Sequence, residues 1–297
     1  MKAGFVSLIG RPNAGKSTLL NRIVGVKLAI VSDKPQTTRT RILGVKQYPE
    51  GQVAFLDTPG IHRPLHRMNV RMVDAAVSTI QEVDVLGVVI DAADRQGSDI
   101  RRLLHLLERI PIPVVLILNK VDLIAKPRLL PMIDEYRRQH PFAAIVPVSA
   151  LAGDNVDVLE RVFLEHLPDG EPLYPPDYLT DQPERALAGE MVREQVLRET
   201  RAELPFSTAV IVDRFEEAGE DAVLRLYCTV LVERESQKPI LIGRGGDMIK
   251  RIGTAARKEL EQFFHTRVFL DLRVKVKERW REDERVLDRL DGRPRDT

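Results

Sequence analysis

Short apolar runs alternate with segments of helical spacing over the first 167 residues of the chain. The apolar runs that predict strands cover residues 5–10, 53–56, 85–90, 114–118 and 145–148. The segments whose apolar residues recur at helical spacing lie near 16–24, 67–81, 98–108, 128–138 and 155–166. Strands that are apolar along their whole length are typical of parallel sheets covered by helices on both faces. This half of the chain therefore predicts an α/β domain with a mostly parallel sheet.

A proline-rich stretch interrupts this alternation. Five prolines fall between residues 168 and 183, and because proline fixes φ and lacks a backbone N–H, the stretch predicts an extended, fairly stiff linker. After it the pattern predicts, in chain order, a helix (184–203), two strands (208–215 and 223–233), a short apolar run (240–242), a helix (247–264) and a strand (268–276). We therefore expect domains at 1–167 and 184–297, joined by the linker 168–183, with the second a small α+β domain.

The composition is that of an ordinary globular protein. The chain has 297 residues, enough for two domains, of which 43% are hydrophobic and 30% charged. The 45 Lys and Arg nearly balance the 44 Asp and Glu, so the charge of the whole chain indicates no polyanionic partner. One cysteine, Cys228, excludes a disulfide scaffold and fits a reducing compartment. With no basic-then-apolar leader before the first strand and no apolar stretch near ~18 residues, we expect a soluble cytoplasmic protein.

A glycine-rich segment stands where the first predicted strand meets the first predicted helix. Residues 10–17 match the P-loop pattern G-x-x-x-x-G-K-[ST]. The glycines let backbone N–H groups surround phosphates, the lysine supplies a charge for the β- and γ-phosphates, and the serine hydroxyl can bind Mg²⁺. The predicted phosphate-binding residues are Gly10, Arg11, Pro12, Asn13, Ala14, Gly15, Lys16, Ser17 and Thr18. By itself the motif leaves an ATPase, a GTPase and a kinase open.

Three further segments, each directly after a predicted strand, select among these classes. They supply Asp57, Thr58, Pro59 and Gly60, then Asn119, Lys120 and Asp122, and then Ser149, Ala150 and Leu151, whose N–H groups could meet the guanine carbonyl. A carboxylate at Asp57 can hold Mg²⁺ through water, and the N–H of Gly60 can contact a γ-phosphate. The carboxylate of Asp122 can accept from N1–H and the 2-amino group of guanine, whereas adenine would leave it unpaired at a cost of about 1–3 kcal/mol or more. The predicted nucleotides are GTP and GDP.

Taken together, these segments resemble the G1 to G5 boxes of small GTPases. The resemblance implies metal ligation by Ser17, Asp57 and Thr38, with Thr37 as the alternative to Thr38, and catalytic roles for Lys16, Thr38, Asp57, Gly60 and Asn13. Ras-like GTPases carry a glutamine after D-x-x-G that orients the attacking water, but this chain has Ile61, so hydrolysis must be assisted in another way. Asn13 resembles the P-loop asparagine of GTPases that use K⁺ in place of an arginine finger. The alternative, that Asn13 only caps the turn, stays open.

A second glycine-rich loop lies in the C-terminal half. Residues 243–246 form a GxxG sequence between an apolar run and a predicted helix, and such a loop lets protein backbone approach a nucleic-acid backbone closely. Residues 238–281 carry 12 Lys and Arg against 5 Asp and Glu, whereas residues 183–297 are balanced at 23 against 23. Positive charge concentrated beside a GxxG loop favours single-stranded RNA over a merely solvated face. The predicted RNA-binding residues are Ile242, Gly243, Arg244, Gly245, Gly246, Ile249, Lys250, Lys275 and Lys277.

The motifs of both halves resemble one bacterial family. Residues 10–17, 35–39, 57–60 and 119–122 look like the TrmE–Era–EngA–YihA class of bacterial GTPases, and residues 203–207, 231–235 and 242–253 narrow the resemblance to the Era family. It implies a P-loop G domain followed by a type II KH domain, binding near the 3′ end of small-subunit ribosomal RNA, and a role in small ribosomal subunit assembly. It also implies Mg²⁺, K⁺ as a further candidate ion, a monomer, no DNA, and peripheral contact with the cytoplasmic face of the inner membrane.

Two other functions remain open from the residues. The first is a metabolic P-loop kinase whose second domain binds a small substrate, against which residues 119–122 argue. The second is an RNA-binding scaffold that holds GTP without hydrolysing it, which Ile61 keeps open.

Overall fold

Two compact units make up the chain. A computed structural model describes residues 1–34, 37–60, 67–80, 82–94, 104–105, 107–108, 110–200, 204, 207–218 and 222–290. For residues 73–78 and 80 it describes the backbone alone. The first unit comprises Met1–Ala29, Pro35–Pro64 and Val70–Asp181, and the second comprises Ile30–Lys34, Leu65–Asn69 and Gln182–Thr297. The domain bounds read from the sequence stay a prediction.

The first unit is built on a sheet with helices along the chain between its strands. Its elements are β1 (Lys2–Gly10), α1 (Lys16–Val24), β2 (Ile42–Tyr48), β3 (Gly51–Asp57), α2 (Arg67–Ile80), β4 (Val85–Asp91), β5 (Val114–Asn119), α3 (Leu129–Gln139), β6 (Ala144–Pro147) and α4 (Val156–His166). The strand order is β2-β3-β1-β4-β5-β6, and every pair except β2–β3 is parallel. The predicted, mostly parallel α/β sheet is confirmed.

Sequence reasoning missed β2, which runs antiparallel to β3 at the edge of this sheet. Its apolar residues do not form a recognisable periodic pattern along the chain, and its strand conformation depends on pairing with β3. The helix predicted over 98–108 lies largely outside the described residues.

Two apolar layers, one on each face of the sheet, explain the apolar strands. In β5, Val115 and Ile117 pack into the layer that contains α1 and α4, whereas Leu116 and Leu118 pack into the opposite layer with α3. Alternate residues of a strand point to opposite faces, so a strand buried on both sides is apolar throughout. Most polar side chains of the parallel strands therefore lie at the strand ends, and buried Ser7 inside β1 is an exception. The carboxyl ends meet at one edge, where Leu8 is level with Asp57, and Asp91 is level with Asn119.

The proline-rich stretch is anchored to the first unit. Gln52 on β3 donates to the carbonyl of Tyr174 (2.8 Å) and accepts from the N–H of Leu173 (2.7 Å). Thr180 donates to the carbonyl of Leu43 (2.6 Å), and the rings of Tyr174 and Tyr178 stack 4.7 Å apart. The linker is thus a strap that lies along β2 and β3, because a proline-rich chain with few internal donors relies on neighbours for its hydrogen bonds.

The second unit is a smaller α+β fold. Its elements are α5 (Glu184–Glu199), β7 (Ala209–Glu216), β8 (Val223–Val232), α6 (Lys238–Ile242), α7 (Asp247–Phe264), β9 (Arg267–Val276) and α8 (Glu284–Leu290). The strand order is β7-β8-β9, antiparallel between β7 and β8 and parallel between β8 and β9. Side chains of α5 and α7 form one core with the sheet, among them Val192, Leu226 and Leu260. The predicted α-β-β-α-α-β order is confirmed, although α5 ends earlier than expected.

Trp280 belongs to this unit's packing. Its ring is fully buried, and its Nε1 donates to the carbonyl of Ser207 (2.9 Å). The described part of the chain contains no helix that is long and apolar enough to cross a membrane.

Candidate nucleotide site and candidate RNA groove

The P-loop joins β1 to α1 in a conformation that only certain residues accept. Asn13 and Gly15 have positive φ (63° and 95°), which glycine adopts freely and asparagine tolerates better than most residues. A Cβ on Gly15 would collide with the side-chain amide of Asn119. The motif's glycine is therefore required both by the backbone and by the neighbouring loop.

Lys16 is folded back across this loop. It is 5% exposed, and its Nζ donates to the carbonyls of Gly10 (3.3 Å) and Arg11 (3.1 Å). Burial lowers the pKa of Lys16, and the negative charge of Asp57 acts in the opposite direction. A buried ammonium group held at a helix N-terminus is suited to bind a polyanion that would replace its lost hydration.

A group of three oxygen-bearing side chains lies beside Lys16. Asp57, at the end of β3, accepts from Ser17 Oγ through its Oδ2 (2.6 Å), and Thr38 Oγ1 lies 2.7 Å from Ser17 Oγ and 3.5 Å from the same carboxylate oxygen. Burial raises the pKa of Asp57, while Lys16 and the two hydroxyls act to lower it. Thr38, one of the two predicted threonines, contributes its hydroxyl to this group.

These residues fit a magnesium ion. Asp57 Oδ1 is a buried oxygen with no hydrogen-bond partner among the described residues. Such an atom costs free energy unless it meets a cation or water. Mg²⁺ prefers hard oxygen ligands and keeps several waters, as one carboxylate and two hydroxyls allow.

The D-x-x-G loop that follows β3 touches the P-loop. Thr58 Oγ1 donates to the carbonyl of Leu8 on β1 (2.9 Å), and this bond anchors the start of the loop. A Cβ on Gly60 would lie 2.7 Å from the backbone nitrogen of Pro12, so only glycine allows this approach. Pro59 lies between these two residues. Ile61 and the switch residues Pro35 and Gln36 lie outside the described residues.

Asn119 connects the phosphate side of the site to the predicted base side. Its buried side chain donates to the carbonyl of Ala14 (2.8 Å) and accepts from the N–H of Ala150 (3.0 Å). Lys120, with φ of 64°, pairs with Asp91 at the end of β4 (2.6 Å). Asp122 is exposed in the turn that follows. An exposed carboxylate next to a rigid amide bridge can accept two hydrogen bonds from the edge of guanine.

The loop after β6 completes this side of the site. Ser149 is buried, and its Oγ accepts from the N–H of Ala152 (3.0 Å), whereas Leu151 is 73% exposed. The structure thus brings the predicted residues of the four first-unit motifs to one edge of the sheet.

Sequence reasoning missed Arg22, which holds this last loop. Arg22 lies on α1, and its guanidinium donates to the carbonyls of Ala150 (3.1 Å) and Leu151. It also missed two acidic partners of the site: Asp94, which pairs with Arg11 (3.0 Å), and Asp91. Arg22 and its partners lie more than 120 residues apart along the chain, so no local pattern could have indicated the contact.

The GxxG loop of the second unit has an open backbone. Gly243, Gly245 and Gly246 have positive φ (77°, 62° and 86°), and a Cβ on Gly243 would lie 2.7 Å from the backbone nitrogen of Met248. In the described part of the chain, no heavy atom lies within 4 Å of a Cβ built on Gly245 or Gly246. The loop leads directly into α7, so N–H groups at that helix's first turn lie beside an accessible backbone.

A cavity of about 380 Å³ lies beside this loop, between α7 and β9. Its lining residues are Ile249, Lys250, Gly253, Thr254 and Arg257 from α7, and Val268, Phe269, Leu270 and Leu272 from β9. A Cβ on Gly253 would lie 3.4 Å from Leu272 Cδ1, so the glycine allows a close approach of helix and strand. An apolar floor with two cations at its rim can hold bases and phosphates of a single strand.

Two of the predicted RNA-binding lysines lie elsewhere. Lys275 lines a different cavity together with Tyr227 and Arg273, and Lys277 pairs with Asp283 (2.7 Å). The remaining predicted residues of this site are contiguous: Ile242 at the end of α6, the glycine loop itself, and Ile249 and Lys250 on α7.

Comparisons with known proteins agree with this geometry. A family model described as a 50S ribosome-binding GTPase matches residues 5–120, and a KH domain model matches residues 203–281. The protein named GTPase Era from Geobacter metallireducens is 48% identical over 97% of this chain and 97% of its own length. GTPase Era from Geotalea uraniireducens is 49% identical over 96% of both.

Two solved structures match nearly the whole chain. A variant of Aquifex aeolicus Era bound to GDP·AlF4⁻ has a TM-score of 0.92 at 41% identity, covering 99% of this chain and 100% of that chain. Era in complex with MgGDPNP and nucleotides 1506–1542 of 16S ribosomal RNA has a TM-score of 0.93 at 41% identity with the same coverage. The predicted fold class, a P-loop GTPase domain followed by a KH domain, is confirmed.

Removing the Arg22 side chain should weaken guanine-nucleotide binding. We expect Arg22→Ala to lower GDP affinity about three- to tenfold, because it removes two hydrogen bonds that hold the loop at Ala150, each of which contributes about 0.5–1.5 kcal/mol. Calorimetric titration with GDP measures this. Arg161→Ala, which removes an exposed arginine from α4, is the matched control. Equal GDP affinity of Arg22→Ala and the control would contradict the positioning role.

Proposed function

Because the chain belongs to the Era family of GTPases, we propose that it binds small-subunit ribosomal RNA near its 3′ end and hydrolyses GTP during assembly of the small ribosomal subunit. The observation that carries the RNA half of this proposal is the GxxG loop with its adjoining α7–β9 cavity. A related Era structure, 41% identical, contains nucleotides 1506–1542 of 16S ribosomal RNA, which supports the choice of RNA. Cytoplasmic location, a monomeric state and a peripheral membrane contact stay predictions.

In the proposed nucleotide site the phosphates lie in the P-loop. Lys16, held by the loop carbonyls, would exchange these contacts for the β- and γ-phosphate oxygens. Ser17, Thr38 and Asp57 would hold Mg²⁺, whose charge stabilises the phosphate oxygens during transfer to water. The N–H of Gly60, placed against Pro12, would contact the γ-phosphate.

Asn119 and Asp122 are assigned to the guanine end. Asn119 holds the P-loop and the loop at Ala150 together, so it acts by positioning. Asp122 would accept from the base itself. In this division of roles guanine is selected by Asp122 without a second substrate, which disfavours a metabolic kinase.

The base-reading role of Asp122 is testable by exchanging one acceptor. We expect Asp122→Asn to lower GTP affinity by at least about tenfold, because the amide can turn a donor toward N1–H, and to raise the affinity for xanthine nucleotides, which present a carbonyl there. Competition binding with GTP and XTP measures both. Asp134→Asn, on the exposed side of α3, is the control. An unchanged preference for GTP would remove Asp122 from base reading.

Asn13 is proposed to help bind a monovalent cation. It has positive φ in the turn of the P-loop, beside the predicted phosphate site. We expect GTP hydrolysis to be faster in K⁺ than in Na⁺ at equal ionic strength, and Asn13→Ala to remove the difference while GDP binding persists. Asn155→Ala, at another asparagine with positive φ, is the control. Equal rates of the wild-type protein in both salts would leave Asn13 a turn residue.

The RNA-binding role of the GxxG loop is tested by reversing its charge. Arg244→Asp combined with Gly245→Asp places two carboxylates where a phosphodiester is expected, and Gly243 and Gly246 are retained. RNA affinity should fall strongly, and the log–log salt slope should flatten by ~0.7 for each phosphate that the loop no longer binds. GTP binding should not change. Filter binding with nucleotides 1506–1542 of 16S ribosomal RNA, repeated over a salt series, measures the effect.

The control for this experiment carries the same charge change in the first unit. Arg137→Asp and Leu130→Asp alter two exposed positions of α3. Wild-type RNA affinity in the loop variant, with buried Trp280 fluorescence unchanged, would assign the loop a structural role only.

A further inference from the structure

The sheet of the second unit presents two different faces. Alternate residues of β8 and β9, such as Leu226 and Leu270, point toward α5 and α7 and join the core. Their neighbours point to the opposite side, where Phe269 is 49% exposed and the Arg273 side chain 68% exposed. We name this side the open face. It comprises Arg214, Arg225, Tyr227, Phe269, Arg273 and Lys275.

Aromatic rings lie exposed or half-buried on the open face. The rings of Tyr227 and Phe269 are 5.9 Å apart, and the guanidinium of Arg214 lies 5.0 Å from the centre of the Tyr227 ring. Exposing half of a phenylalanine leaves apolar area in water at about 25 cal/mol per Å², a cost that a stacked base would remove. Aromatic rings and guanidinium planes on a sheet are the surface on which RNA-binding sheets stack unpaired bases.

The charge of the open face suits the same ligand. Its four cations exceed the two carboxylates that share the face, Glu216 and Asp271, which pair with Arg214 and Arg273. Asp213 beside the face is paired with Arg289 of α8 (3.1 Å). A cavity of about 290 Å³ lies over the face, and Tyr227, Arg273 and Lys275 line part of it. Lys275 does not line the GxxG groove, but a phosphate in this second cavity could reach it.

The edge strand β9 connects the open face with the GxxG groove. Leu270 and Leu272 line the groove, and Phe269 lies at its border, where it lines the groove and is also exposed on the open face. Arg273 belongs to the open face and does not line the groove. An RNA strand that leaves the groove across β9 at Phe269 therefore reaches Tyr227 on the neighbouring strand β8, since the two rings are 5.9 Å apart.

We propose that the open face is a second RNA-binding surface, on which unpaired nucleotides continuous with those in the GxxG groove stack on Phe269 and Tyr227, with phosphates on Arg273 and Lys275. This proposal rests on RNA binding by the groove. The ligand is single-stranded RNA, because exposed rings can contact only bases that are not paired within a duplex.

The test compares two RNAs on the full chain. The short RNA spans only about the four nucleotides that a GxxG groove clamps, and the long RNA extends the same sequence by unpaired nucleotides at both ends. Tyr227→Ala combined with Arg273→Ala, neither of which lines the GxxG groove, should bind the long RNA about five- to a hundredfold more weakly than wild type, and the short RNA equally well. 2-Aminopurine placed in the extension should lose its quenching in this variant.

Controls separate the proposal from its premise. Arg137→Ala removes an exposed arginine from the first unit and should leave both affinities unchanged. Because Tyr227 and Arg273 lie on the open face and outside the core of the second unit, the variant should keep its circular dichroism and the fluorescence of buried Trp280. Equal binding of the long RNA by variant and wild type would overturn the proposal that the open face binds RNA. Evidence that this face binds a protein instead would overturn it as well. Failure of the wild-type protein to bind either RNA would instead refute the groove.

Discussion

The sheet faces that helices cover determine where polar and ligand-binding side chains can lie in this protein. In the first unit both faces are buried, so Val115 and Leu116, neighbours on β5, lie in opposite apolar layers. Such a sheet favours polar side chains at the strand ends, and parallel strands bring their carboxyl ends to one edge. The phosphate, magnesium and base-side residues are consequently close together, although they lie far apart along the chain.

The nucleotide site concentrates polar groups that are costly to bury. Burial lowers the pKa of Lys16 and raises the pKa of Asp57, so it favours the neutral form of each group. The charge of each residue opposes the shift of the other. One oxygen of Asp57 has no partner within the described chain. These costs are offset when phosphates and a divalent cation bind. Asn119 contributes differently, because its amide satisfies two loops at once and thereby sets the distance between the phosphate end and the base end.

The second unit follows the opposite arrangement. Its three-stranded sheet has α5 and α7 on one face, so β9 and the first half of β8 alternate between core residues and more accessible ones. In the second half of β8, Thr229 and Leu231 are buried on the other face as well. The α7–β9 cavity is lined by Phe269, Leu270 and Leu272 of β9, and Phe269 also belongs to the open face together with Arg273 and Lys275. One edge strand thus contributes to two surfaces, which a sheet covered on both faces could not do.

The amino-acid sequence by itself determined the motifs and the elements that carry them. Glycines with positive φ, a lysine and serine at a helix start, and an asparagine and aspartate after an apolar strand are local requirements, so spacing along the chain reveals them. Tertiary structure alone decided the rest. Strand β2 depends on pairing with β3, Arg22 on carbonyls more than 120 residues away, and the direction of Lys275 on which face of the sheet the helices cover. Each of these is a contact between distant segments, and no local pattern records which segments will meet.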